Sequence, residues 1–399
     1  MMNNGYPFLQ WELEELEEPE EEQEATQMAG VYFGGKQIYK PGAYTVADTS
    51  QMYPTTPGGS RIIAIIGIVP DESEADAKTL YSFNDPRAAQ AVLGDSDLLN
   101  GARVAWSPST MDAGADVLIC VPLKESEAEA SDWQEAIDAL YLAPIAGIVL
   151  LTADPAIHAM GYAAVQQASN NRRERRLFVG GDLGLDKQDT LDLATSLGHR
   201  AIVATPGMER SIDGEMTMLP PYFTACAVAG LWSGLEVNEP LTFKYLNTSR
   251  LEKQWDDTEI DEFLQGGVLP VENVYGRGRR IVQQRTAHTA DNNTALSELS
   301  TGATIDFMVQ DLRTSMEDRF VGRPGTTAVQ TAMRNAAFSK LRSYERAGYI
   351  TGDAGLGVPA FRNLTLRREG RAYFIEFEAS VTEPVNWILI TAYFKPPQA

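Results

Sequence analysis

Two cysteines, Cys120 and Cys226, and three histidines, His158, His199 and His288, are all that 399 residues provide of the side chains that most often bind metals or act as nucleophiles. Two cysteines are no disulfide framework, and such sparing thiol use suits a reducing compartment. No histidine has a second His or Cys at i+3 or i+4, the spacing that would put two such ligands on one helix face. The chain has no Gly-x-Ser-x-Gly elbow and no His-Glu-x-x-His. No apolar run reaches membrane-spanning length. The first 30 residues hold nine Glu and no Lys or Arg, the reverse of the basic start of a secretion signal. These absences predict no catalytic residues, no cofactor, no metal and no membrane insertion.

Two glycine-rich stretches come near ligand-binding motifs and fail on detail. Gly30-Val-Tyr-Phe-Gly-Gly-Lys36 lacks the Ser or Thr that a phosphate-binding loop places after its Lys, because Gln37 stands there. Gly180-Gly-Asp-Leu-Gly184 follows an apolar run but lacks dinucleotide spacing, so a plain turn is expected. Cys120 and Cys226 read as small buried hydrophobes.

What the chain does have is acid. It carries 33 Lys and Arg against 55 Asp and Glu, net −22. That argues against nucleic acid as a partner. The charge is uneven: residues 1–30 hold −9, residues 271–399 hold +3, and the stretch between holds the remaining −16. An acidic front and a mildly basic back favour head-to-tail self-contact. Gly276-Arg-Gly-Arg-Arg280 with Arg285 is the densest basic cluster and suits an acidic protein surface.

Along the chain, residues 1–30 read as an acidic flexible arm. Residues 31–60 read as an extended segment and linker that packs with the C-terminal domain. In residues 61–215, apolar runs at 62–69, 117–121, 145–151, 177–179 and 201–204 alternate with amphipathic stretches such as 132–142 and 190–197. That interleaving predicts a parallel α/β layered domain. Residues 216–399 read as a C-terminal α+β core domain. It holds a small-residue helix at 222–234, a strand at 275–282, helices at 304–320 and 327–347, and an alternating strand at 371–382. On the first long helix Ile305, Met308, Leu312 and Met316 share a face; on the second, Met333, Ala337, Leu341 and Tyr344 do. Arg334, Lys340, Arg342 and Arg346 flank that second face.

The stretch Glu383-Pro-Val-Asn-Trp-Ile-Leu-Ile-Thr-Ala-Tyr-Phe394 is apolar on both faces of a would-be strand. Such a strand must be covered on both sides and paired on its edges. Only five residues follow it here, so the cover is expected from another chain. Val385, Trp387, Ile388, Leu389, Ile390, Thr391 and Tyr393 are the expected inter-subunit strand.

Three passages carry a family likeness. They are Lys40-Pro-Gly-Ala-Tyr-Thr-Val46; Leu219-Pro-Pro-Tyr-Phe-Thr-Ala-Cys-Ala-Val-Ala-Gly-Leu231 with residues 264–285 after it; and residues 383–394. Their order and spacing resemble the contractile tail sheath proteins of bacteriophages and related contractile injection systems. Residues 287–303 depart from that pattern. The resemblance implies an α/β fold (α+β overall) with a shared C-terminal domain completed by the N-terminal segment, an inserted α/β domain and extended terminal arms. It implies a structural protein of the virion tail, assembled in the host bacterial cytoplasm. Six-membered rings would stack helically around a tail tube, with neighbours linked by strand exchange, and contraction would drive the tube through the target envelope. The implied partners are further copies of itself, the tail tube protein, and baseplate and tail terminator proteins. Arg334, Lys340, Arg342 and Arg346 become the expected tube-facing residues. Two other readings stay open: a nucleotide- or flavin-binding α/β enzyme with an oligomerisation domain, and a tail tube or baseplate component.

Overall fold

The computed structural model describes residues 31–33, 36–38, 40, 43, 61–291, 293–389 and 391. Near the start, β1 (Val31–Phe33) and β2 (Lys36–Ile38) pair antiparallel as a short hairpin. The near-match to a phosphate-binding loop falls partly on it; Gly30, Gly34 and Gly35 lie outside the described residues.

From residue 61 the chain alternates strand and helix, as the apolar runs predict. The order is β3 (Ile63–Val69), β4 (Tyr81–Phe83), α1 (Pro86–Leu93), α2 (Asp97–Trp106), β5 (Leu118–Lys124), α3 (Ala130–Ala139), β6 (Gly147–Leu150), α4 (Pro155–Asn170), β7 (Arg176–Val179), α5 (Lys187–Thr195) and β8 (Ala201–Thr205). A hairpin of β9 (Met208–Ile212) and β10 (Glu215–Leu219) leads into α6 (Pro221–Gly234), then β11 (Tyr245–Leu246), α7 (Asp257–Gln265), β12 (Val268–Val274) and β13 (Gly278–Ile281). Helices begin where side chains meet their free N–H groups: Asp85, Ser96, Asp154, Asp186 and Asp256 each accept from the first turn of the helix that follows.

One sheet runs β11-β13-β12-β8-β7-β6-β3-β5-β4. Its six inner strands, β12 through β5, are parallel, while β4, β13 and β11 are antiparallel additions at the edges. Inner strands are buried on both faces, which explains their continuous apolar runs. One face packs on α1, α2 and α6 through Leu98, Leu99, Phe223 and Trp232. The other packs on α3, α4, α5 and α7 through Trp133, Ile137, Val165 and Phe263. Helix α6 lies in the core with nearly every residue buried, so it is apolar all round and shows no amphipathic stripe.

Two expectations change here. The sheet does not stop at residue 215: β12 pairs with β8 at Val268, Leu269 and Pro270, so the α/β layer reaches residue 281. Of the expected strand at 275–282, residues 278–281 are strand β13, while Tyr275-Gly276-Arg277 is the turn that joins it to β12, with Gly276 at φ +70°.

Beyond the sheet come α8 (Thr294–Ser297), α9 (Leu299–Phe320), α10 (Thr327–Ala347), β14 (Phe361–Glu369) and β15 (Ala372–Ala379). Ile305, Leu312 and Met316 are buried on α9, and Ala337, Leu341 and Tyr344 on α10, as their spacing predicts. Helix α9 starts earlier than residue 304; its first turns are small and polar yet buried, Ser300, Thr301 and Thr304 among them. The strand expected at 371–382 is β15, and β14 was not foreseen.

Candidate assembly surface

Helix α9 is fastened to the α/β layer by charge. Asp306 accepts from Arg176 at 2.8 Å and from both terminal nitrogens of Arg200 at 2.9 and 3.0 Å. Burial opposes ionisation of Asp306, but the two guanidinium groups outweigh it and hold the carboxyl below its usual range. Two turns on, Arg313 grips Glu174, and Glu317 meets Arg172 at 3.3 Å. Arg172 also donates to the carbonyl of Ala43 at 2.8 Å, and Ala43 packs beside Leu312, Met316 and Ala337. Ala43 thus meets α9 and α10.

Helix α10 lies on α9 and carries the β14–β15 hairpin on its other flank. The hairpin's inner side packs Phe361, Leu364 and Ile375 toward the helices. Its outer side carries Arg362 with Glu378 and Arg367 with Glu376, as cross-strand ion pairs. Among the described residues, β14 and β15 pair only with each other, so each has one unpaired edge.

The four expected tube-facing cations do not share a face. Arg334, Arg342 and Arg346 are exposed along one i, i+4 row. Lys340 lies on the flank toward α9, bonded to Asp311 at 2.7 and 2.9 Å. Tyr344 donates to the same carboxylate at 2.7 Å. Sequence spacing missed Phe338, which stands between Arg334 and Arg342, 44 % exposed and 5.5 Å edge-on to Phe361. Arg342 lies over both rings.

After Val381 the chain leaves the hairpin. Thr382 donates to the carbonyl of Gly348 at 3.0 Å, and Asn386 donates to Glu298 at 3.0 Å. Beyond this root Val385, Trp387, Ile388 and Leu389 are 76–94 % exposed, and Thr391 is exposed too. Within this chain residues 383–389 form no ladder with any described strand. Ile390 and Tyr393 lie outside the described residues. The described part of the expected strand, residues 385–389, is thus largely exposed and pairs with no strand among the described residues.

The former candidates for chemistry have other occupations. In Gly180-Gly-Asp-Leu-Gly184, the N–H of Gly184 donates to Glu252 at 2.6 Å, and Glu252 also accepts from Gly207 at 3.2 Å. The chain's own carboxylate fills the place where an anion would sit at that strand end. Cys120 and Cys226 are fully buried; burial pushes the Cys120 thiol up to about 12 and raises Cys226 as well, which removes thiolate character. Among the described residues no group of three or more His, Cys, Asp or Glu is placed to hold a metal, and no helix is long and apolar enough to cross a membrane.

Comparison with known proteins agrees with this arrangement. Residues 126–287, which run from before α3 to beyond β13, match the phage tail sheath protein central domain. The tail sheath protein of Bacillus phage SP01 is 32 % identical over 274 residues, 67 % of this chain and 46 % of that protein. The tail sheath protein of Staphylococcus phage Twort is 32 % identical over 180 residues, 44 % of this chain and 31 % of that protein. The chain spans less than half the length of these relatives. Among solved structures, the contracted helical sheath of the anti-feeding prophage superposes with a TM-score of 0.65 at 13 % identity, covering 92 % of this chain and 99 % of that one. A sheath tail protein from Desulfitobacterium hafniense gives 0.64 at 13 % identity, covering 88 % and 96 %. At such low identity these two speak for the fold, and the likeness in sequence comes from the phage relatives. Residues 126–287 thus match a tail sheath central domain, and about two thirds of the chain is similar in sequence to a phage tail sheath protein.

Proposed function

We propose that this protein is a structural subunit of a contractile tail. It polymerises as stacked hexameric rings around a tail tube, and the polymer contracts to drive the tube through the target cell envelope. The observation that carries this reading is the bare segment 385–389 beside a two-stranded sheet with unpaired edges. A strand that finds no partner at home and a sheet that lacks a neighbour are complementary halves of strand addition between copies. Such a contact is heterologous and does not close on itself, so it generates a helical polymer. Main-chain hydrogen bonds of this kind survive rotation of the subunit bodies, which a contracting lattice requires. The exposed row Arg334, Phe338, Arg342 and Arg346 faces the tube in this reading, and Lys340, bonded to Asp311, supports α10 from behind. Partners are further copies, the tube protein, and baseplate and terminator proteins; the role needs no catalytic residue and no cofactor. Negative-stain microscopy of the overexpressed protein tests it. Striated hollow tubes support a sheath, whereas smooth thin tubes or compact particles with absorbance beyond the protein band refute it.

A further inference from the structure

The root of the bare segment is seated on a buried acid. Glu298 lies between α8 and α9, 2 % exposed, and forms a backbone bridge with Arg285. Its Oε1 accepts from Gln283 Nε2 at 2.5 Å and from Asn386 Nδ2 at 3.0 Å. Its Oε2 has no partner, and neither does Asn386 Oδ1; Glu383 has the Thr294 hydroxyl beside it. Two buried oxygens at the Asn386–Glu298 contact are thus left without a donor, and buried polar atoms are rarely left so. The cluster lacks a hydrogen, and a proton on Glu298 is the one that the side chains present can accommodate.

The charged groups around it are few. Arg285, from the segment after β13, gives its Nε to the carbonyl of Leu264 at 3.0 Å instead. Glu383 at the arm root is a second, half-buried carboxyl, itself raised by burial. Gln283, Gln284 and Asn386 are neutral. Burial is the largest influence on Glu298 and pushes its pKa up to about 7, against the smaller pull of the amides and Arg285.

We propose that Glu298 is a proton-operated catch that seats the C-terminal segment against the subunit through Asn386 and releases it when the carboxyl loses its proton to water. With the acid neutral, the added hydrogen supplies the missing donor and residues 383–386 stay docked. Once ionised, the carboxylate sits in a nearly dry place with no cation bonded to it, and lifting the root lets water reach it. The device sets when segment 385–391 is free to leave its own subunit. It is read on the unassembled chain, so its failure leaves strand addition untouched, and failure of strand addition leaves it untouched.

The test uses the full chain, dispersed, with a fluorophore on Leu389→Cys; the two natural thiols are buried and do not compete. Anisotropy should fall as pH rises through about 7, following a single group. Glu298→Gln, which is neutral at every pH, should stay high throughout; Asn386→Ala should stay low throughout. The natural chain should match Asn386→Ala at pH about 8 and differ from it at pH about 6, a comparison that holds even where Glu298→Gln does not fold. Anisotropy that is flat with pH in the natural chain, or a Glu298→Gln variant that titrates as the natural chain does, overturns the proposal.

Discussion

Arg313 donates both terminal guanidinium nitrogens to the two oxygens of Glu174, each at 2.8 Å, in a nearly solvent-free contact between α9 and the turn before β7. This paired geometry and the Asp306 cluster one helical stretch earlier fix α9 to the α/β layer. Removing one partner of a buried pair leaves the other charged and dry, at a cost of about 3–5 kcal/mol. Arg313→Ala should therefore lower stability by about 3 kcal/mol in a denaturant titration. Replacing both Arg313 and Glu174 by Leu should recover most of that loss. A double variant as unstable as the single one would contradict the account.

Acid should loosen the same joint. His199 is depressed to about 4, first by burial and then by Arg176 and Arg200. The unfolded chain binds that proton near pH 6.5, whereas the folded one refuses it until about 4. Its contribution to stability is thus present above about pH 6.5 and lost as pH falls toward 4. Asp306 acts in the same direction lower down, since its carboxyl is held below its usual range. Replacing His199 by Gln should flatten the dependence of the denaturation midpoint on pH over that window. An unchanged slope would show that the imidazole is not held neutral.

Helix α6 crosses α2 so closely that a Cβ on Gly230 would lie 2.3 Å from the carbonyl oxygen of Ala105. The obstruction is backbone, which cannot swing aside, so Gly230→Ala should cost at least the 1–3 kcal/mol of ordinary overpacking. Calorimetry should show a clear fall in Tm. A neutral outcome would mean that the two helices separate easily.

The α10 cations should sort into two kinds. Charge reversal at Arg334 or Arg346 should leave subunit stability within about 0.5 kcal/mol, as expected of exposed positions, yet weaken assembly on tail tubes. Lys340→Glu should instead destabilise the subunit, because it sets a second carboxylate beside Asp311. Loss of subunit stability at Arg334 as large as at Lys340 would undo the distinction.

The parallel sheet was legible because its inner strands are buried on both faces and so read as bare apolar runs, from Ile63–Val69 to Ala201–Thr205. Helix α9 and helix α10 were legible because each buries one stripe. Strand β14 was not, because Arg362, Arg367 and Arg368 are exposed and make it read as a solvated loop. The turn at Tyr275 was read as strand because a fully exposed tyrosine has the same local propensity as a buried one. Of the assembly surface, the apolar character of residues 385–389 was plain. Their seating on Glu298 was not, since a partner 88 positions away leaves no local pattern.

Residues 385–391 are proposed to complete a sheet in another copy. Deleting residues 384–399 tests it most directly, by microscopy and sedimentation of the truncated protein beside the full chain. The truncated protein should be a folded, dispersed subunit that forms no tubes at concentrations where the full chain does. Long striated tubes from the truncated protein would contradict it.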